Sequence, residues 1–189
     1  NVNDNDGNNT IFNITSNWFE NNLSLIRLNL PFERNTSNQV YDYSGLNNNG
    51  TLIGSKITCG TQYGRSGFGC NFSGGSNFDV INVNFTQDFN FTHEFTVEAW
   101  VYAQRLNNDL INKGSDGAET FNLLIQGNVL KLVVRNHTNE VSDPAISDPA
   151  TFPTNSWQYI AATVKINSTN GLDMELYRNG TLVFGAPNA

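Results

Sequence analysis

Little in this chain could serve as a reactive group. It holds two histidines, two cysteines and one methionine in 189 residues, too few for a histidine-rich metal centre. His93 and His137 have no Ser or Cys nucleophile motif beside them, and His137 lies within an N-x-T sequon. No His or second Cys pair stands at zinc spacing from Cys59 and Cys70. Cations are scarce as well: ten Lys and Arg against seventeen Asp and Glu give a net charge of -7 and a pI near 4.6. Arg27, Arg34, Lys56, Arg65, Lys113 and Lys131 are scattered singly. Phosphate backbones need clustered Lys and Arg, so this balance argues against a nucleic-acid partner. No apolar run is long enough to span a bilayer, so no membrane insertion is expected. The opening "NVNDNDGNN" is not a signal peptide, so any export signal is expected to have been removed or to lie outside these residues. No stretch carries a convincing helical pattern.

Alternation is what the chain does have. "SLIRLNLPF" (Ser24–Phe32), "NFDVINV" (Asn77–Val83), "EFTVEAWVYA" (Glu94–Ala103) and "TFNLLIQ" (Thr120–Gln126) read as half-buried strands. So do "VLKLVVRN" (Val129–Asn136), "SWQYIAATVKI" (Ser156–Ile166), "LDMELYRN" (Leu172–Asn179) and "TLVFG" (Thr181–Gly185). "QGN", "STNG" and "RNG" between them are hairpin turns, where Asn or Gly supplies the positive φ. Regular strands divided by polar turns predict an all-β, antiparallel two-sheet jelly-roll sandwich. Two segments stand apart: a polar N-terminal arm over residues 1–22 with one apolar stretch, "TIFNI", and "SDPAISDPATFPTN" (Ser142–Asn155), read as a surface loop. The domain is then expected over residues 23–189.

Asparagine makes up about a sixth of the chain. Asn8, Asn13, Asn22, Asn35, Asn49, Asn71, Asn84, Asn90, Asn136, Asn167 and Asn179 head N-x-S/T sequons, about twice the number that chance would place. Asn and Thr richness on turns accounts for part of the excess; an exported glycoprotein accounts for all of it. "CGTQYGRSGFGC" closes a short Gly-rich loop between Cys59 and Cys70, which suggests a disulfide and an oxidising, extracellular compartment.

Several segments together resemble the laminin-G-like, concanavalin A-like lectin/glucanase jelly rolls. "LPFERNTSNQVYDYSGLNNNGTLIG" resembles the family's opening strand, Asp-x-Ser-Gly turn and Asn-Gly-Thr-Leu strand. "YGRSGFGCNFSGGSNFDVINV", "FTVEAWVYA", "LINKGSDGAETFNLLIQGNVLKLVV", "SWQYIAATV" and "LDMELYRNGTLV" resemble the strands that follow, so the likeness runs from about Leu28 to Phe184. It implies a recognition fold with Trp100 in the core, and a closing strand of Ile-Asp-Glu type beside the first strand. After "LVFGAPNA" no such strand follows. The expectation is that it lies beyond these residues or is supplied by a neighbour, whose gap the arm, with Ile11, Phe12 and Ile14, would fill by strand addition.

The same resemblance implies a calcium ion at "VYDYSGLNNNGTLIG". Asp42 would give a carboxylate, and Asn47, Asn48 and Asn49 amide or main-chain oxygens, toward the six to eight that calcium takes. The alternative is an Asx turn. "NKGSDGAET", with Asp116 and Glu119, reads as a solvated hairpin tip, and "NDNDGN" lacks the spacing and final Glu of an EF-hand. Some enzymes on this fold are glycosidases, which need a close carboxylate pair. Glu94 and Glu98 share one strand face, opposite Phe95, Val97 and Ala99; Asp173 and Glu175 share another, opposite Leu172, Met174 and Leu176. Both pairs read as solvent faces, and no catalysis is expected. Trp100 and Trp157 are expected in the core, leaving Trp18, Tyr63 and Tyr102 as surface platforms for a sugar.

The expectation is a noncatalytic, calcium-stabilised extracellular domain that binds glycans or surface proteins. Its alternative is a structural subunit that polymerises with copies of itself.

Overall fold

The computed structural model describes residues 19–20, 23–33, 35–36, 38–74, 79–90, 94–114, 120–134, 144–166 and 171–184. Most of the N-terminal arm lies outside them, so strand exchange through Ile11, Phe12 and Ile14 is not placed; nor are Trp18, Asp116, Glu119, or sequons Asn8, Asn13, Asn22, Asn136 and Asn167. No described helix is long and apolar enough to cross a membrane. The backbone divides into two compact units, Asn1–Asn90 and Phe91–Ala189.

In the first unit, β1 (Phe19–Glu20) pairs with β2 (Leu23–Ser24). Strands β3 (Asn35–Thr36), β4 (Gln39–Val40), β5 (Gly50–Ile53) and β8 (Val80–Val83) form a four-stranded antiparallel sheet. A separate hairpin joins β6 (Ile57–Gly60) to β7 (Gly69–Phe72). Cys59 and Cys70 face each other across it, their Cα atoms 4.0 Å apart, and form the expected disulfide. The intervening loop is Gly-rich for a steric reason: a Cβ on Gly69 would sit 2.3 Å from the Tyr63 carbonyl oxygen.

"SLIRLNLPF" departs from its predicted strand: beyond Ser24 it joins no ladder. Its backbone is engaged elsewhere. Asn29 N–H donates to Asp42 Oδ1 at 2.9 Å and Asn29 O accepts from Tyr43 N–H at 2.8 Å. Pro31 offers no N–H, and Phe32 takes a left-handed φ of 63° that breaks the extended run.

The second unit is a two-sheet antiparallel sandwich. One sheet runs β10 (Asn108–Lys113), β11 (Phe121–Gln126), β12 (Val129–Val134), β13 (Ala145–Thr151). The other runs β16 (Thr181–Phe184), β15 (Leu172–Arg178), β14 (Trp157–Ile166), β9 (Glu94–Tyr102). Alternate residues fill the core between them: Phe121, Leu123 and Ile125 from β11, Leu130, Leu132 and Val134 from β12, Ile160, Ala162 and Val164 from β14, and Leu176 from β15. Phe95 of β9 meets Phe121 of the opposite sheet with ring centroids 4.8 Å apart. Two of the predicted hairpins close as two-residue turns, Gly127-Asn128 (φ 61° and 69°) and Asn179-Gly180 (φ 52° and 78°). Two successive positive φ values give the turn whose twist matches its strands.

"SDPAISDPATFPTN" is not the surface loop that its prolines suggest. Residues 145–151 form β13, an edge strand, where a proline is tolerated. Ile146 and the following Phe152 enter the core. Asp148, only 2% exposed, goes in with them. Its Oδ1 accepts from Ala150 N–H at 2.8 Å. Its Oδ2 accepts no hydrogen bond among the described residues beyond the ion pair with Arg178 Nε of β15, at 3.0 Å. This pair ties the two sheets together. Arg178→Met should therefore lower the unfolding free energy by about 3–5 kcal/mol, because it leaves a buried carboxylate unpaired. The check is chemical denaturation, with Asp148→Leu/Arg178→Met recovering much of the loss.

Candidate functional site

Two places gather polar side chains, one in each unit. In the first unit the turn at Asp42 is a hydrogen-bond hub. Asp42 Oδ1 accepts from the N–H groups of Asn29 and Ser44, each at 2.9 Å. Oδ2 accepts from Ser44 Oγ at 2.6 Å and from Asn48 N–H at 2.9 Å. Asn49 Oδ1 accepts from Asp42 N–H at 2.8 Å. Asn48 is buried: its Nδ2 donates to Arg27 O at 2.9 Å and its Oδ1 accepts from Thr86 Oγ1 at 3.1 Å. Asn47 holds the left-handed corner, φ 60°, with its side chain exposed.

Asp42 is hydrogen-bonded to Asn48 and Asn49 while the side chain of Asn47 stays exposed, and the side-chain oxygens do not fit the calcium ion that the resemblance implies. A cation needs oxygens that face it with lone pairs. Both Asp42 oxygens instead face two donors each, and the amide oxygens of Asn48 and Asn49 are likewise taken. Among the described residues no group of three His, Cys, Asp or Glu is arranged for a metal. The turn reads as the Asx alternative, in which local hydrogen bonds replace a ladder.

The second place is the outer face of the sheet β16-β15-β14-β9. Because β9 and β14 pair without a break, their alternation is shared. The inner residues Phe95, Val97, Ala99 and Val101 pack on the core. The outer residues line up across the ladder as Tyr102 with Trp157, Trp100 with Tyr159, Glu98 with Ala161, Thr96 with Thr163 and Glu94 with Lys165. On the far side of β14, Tyr177, Glu175 and Asp173 stand beside Ala161, Thr163 and Lys165.

Trp100 is thus 46% exposed, and Tyr102 43%. Trp100 was expected in the core, and Trp157 too lies on this face at intermediate exposure. Trp100 and Tyr159 have centroids 5.2 Å apart at 50°; Tyr102 and Trp157 are 5.5 Å apart, edge to face. Two adjacent aromatic pairs thereby form one platform. The missed signal is parity: Trp100 shares it with Glu94 and Glu98, which were already assigned to the solvent face. Tyr102, named as a platform from sequence, is part of this one; Tyr63 sits in a 3-10 turn of the other unit.

Beside the rings stand carboxylates. Tyr159 O–H donates to Glu98 Oε2 in a short hydrogen bond. Tyr177 O–H donates to Glu175 Oε2 at 2.7 Å, and Thr163 Oγ1 to the same oxygen at 3.2 Å. Burial, then the hydrogen bond and charge of Glu98, push the Tyr159 phenol up from 10.0 to about 12. The hydrogen bond to Glu175 leads in raising Tyr177. A separate groove toward the Lys165 end is lined by Glu94, Thr96, Thr163, Lys165, Asp173 and Glu175.

A family model described as the concanavalin A-like lectin/glucanases superfamily matches residues 72–189. That span contains the whole sandwich and begins after the Asp42 turn. No curated protein and no solved structure matches the chain significantly.

The Asp42 hub should hold without an ion. The melting temperature is expected to be the same in calcium and in EDTA, and Asp42→Ala should lower it equally in both; a fall in EDTA for the natural sequence would restore the metal. At the outer face, the folded state keeps the Tyr159 proton more tightly than the unfolded chain. Its stabilising contribution is present below pH 10.0 and lost as pH rises through about 12. Ultraviolet titration should show this late phenol, and Glu98→Gln should move its ionisation to lower pH.

Proposed function

Because the chain belongs to the concanavalin A-like lectin/glucanase superfamily, we propose that it is a noncatalytic, extracellular recognition domain that takes a glycan on the outer sheet face of its sandwich. The observation that carries this reading is the exposed aromatic platform of Trp100, Tyr102, Trp157 and Tyr159. A sheet ordinarily spends large aromatics on its buried face. Leaving two pairs at the surface forgoes that burial, and a sugar ring recovers it by laying its C–H face on the π-surface. The neighbouring hydroxyls and carboxylates then meet the sugar hydroxyls at the edge, as polar groups beside an apolar floor do in ligand sites.

A binding role accounts for the carboxylates better than a catalytic one. Glu98 and Glu175 lie on β9 and β15, with β14 between them. Two strand spacings and a two-residue offset in register put their backbones roughly 12 Å apart, against about 5–9.5 Å between the carboxyls of retaining and inverting glycosidases. Each carboxylate is also held by a phenol.

An extracellular setting is supported by the Cys59–Cys70 disulfide and by the sequons. Asn84 and Asn90 are exposed and Asn71 is half-buried; Asn35 lies on β3. Asn49 and Asn179 have other duties: Asn179 Oδ1 accepts from Tyr159 N–H at 2.9 Å and its Nδ2 donates to Gln158 Oε1 at 2.8 Å. Asn84 and Asn90 are therefore the better glycan acceptors.

A glycan array followed by calorimetry tests the reading. The protein should bind at least one oligosaccharide saturably, and Trp100→Ala should weaken that binding roughly tenfold or more while the fold persists. Undiminished binding by Trp100→Ala would place the site elsewhere.

A further inference from the structure

The outer face is not electrically neutral. Glu94, Glu98, Asp173 and Glu175 all stand on it, with Lys165 as the one cation at an outward position of β9, β14 and β15; Arg178 of β15 is paired with inward Ile160 and engaged by buried Asp148. By register Lys165 lies between Glu94 and Asp173, at the end of the face away from the rings. The carboxylates nearer the rings, Glu98 and Glu175, stand opposite Ala161 and Thr163 and have no cation across the ladder.

Among the described residues Glu98 accepts from Tyr159, and Glu175 from Tyr177 and Thr163. A carboxylate has about four lone-pair sites, so both keep capacity for a further donor. The phenols fix where that capacity points, since each holds one oxygen of its carboxylate in place. Ala161 and Thr163, the small residues of β14, stand on the central strand between the two carboxylates.

We infer that the ligand of this face is a cationic glycan, an oligosaccharide of amino sugars with free ammonium groups. The aromatic pairs would take the C–H faces of its rings, and Glu98 and Glu175 the ammonium groups. This rests on the glycan reading above and narrows it by charge complementarity. An ammonium beside Trp100 gains from the ring quadrupole as well as from the carboxylates. A uronate or sulfated sugar meets like charge and is turned away. A neutral or N-acetylated sugar keeps the stacking and forfeits the ion pairs.

The test is calorimetry on the whole chain with three oligosaccharides of equal length: glucosamine, N-acetylglucosamine and glucose. A lysine pentapeptide serves as the charged control. The glucosamine oligomer should bind about tenfold or more tightly than the other two sugars, and the preference should shrink as salt rises from about 0.05 to 0.5 M. Glu98→Gln and Glu175→Gln, close to isosteric, should abolish the preference, bringing the affinity for the glucosamine oligomer down to that for the uncharged oligomers measured with the same variant. Equal affinity for charged and uncharged oligomers would overturn this inference and leave the glycan reading standing. Binding of the lysine peptide as tightly as the glucosamine oligomer would also overturn it, since charge without sugar would then suffice. Absence of binding by any oligosaccharide in the array would sink the glycan reading itself and this inference with it.

Discussion

The pairing of β14 with β9 is the constraint on which the rest of the second unit depends. Nine consecutive residue pairs run in register from Trp157–Tyr102 to Lys165–Glu94 without a bulge. Side chains on a strand alternate strictly, so such a ladder makes two surfaces at once and a one-residue slip would exchange them. The inner surface, with Ile160, Ala162 and Val164, closes the core. The outer surface carries the aromatic pairs and the carboxylates. The site is rigid because the face behind it is packed, and a platform of rings can be useful only if its spacing is held.

Carboxylates recur as local organisers, each satisfied within its own unit. Asp42 collects four donors and fixes a turn that would otherwise leave the N–H groups of Asn29, Ser44 and Asn48 without partners. Asp148 is carried into the core on an edge strand and kept there by Arg178. Glu98 and Glu175 are held at the surface by phenols, with room for one partner more. The difference among them is solvent access. A buried carboxylate must be fully paired by the fold itself, whereas an exposed one can share its remaining lone pairs with a ligand.

Much of this was written in the residues. Period-two alternation located β9, β11, β12, β14, β15 and β16, and Asn and Gly located the turns at 127–128 and 179–180, because both signals depend only on near neighbours. Opposed cysteines in a Gly-rich loop announced their own bond. Alternation also assigned Glu94, Glu98, Asp173 and Glu175 to solvent faces. The same parity assigns Trp100 to the solvent face, beside Glu94 and Glu98.

What tertiary structure alone decided lies in contacts between residues far apart in the chain. Nothing near Asp148 says that Arg178 waits across the sandwich, so a Pro-bearing segment that reads as a loop becomes a strand. The Asx turn at Asp42 has the composition of an ion site; only the arrival of Asn29 and Asn48 at its oxygens shows which lone pairs are spent. Local sequence determines which way a side chain points from its own strand. The strand placed alongside determines what that side chain meets, and so brings Trp100 to Tyr159 and Tyr159 to Glu98.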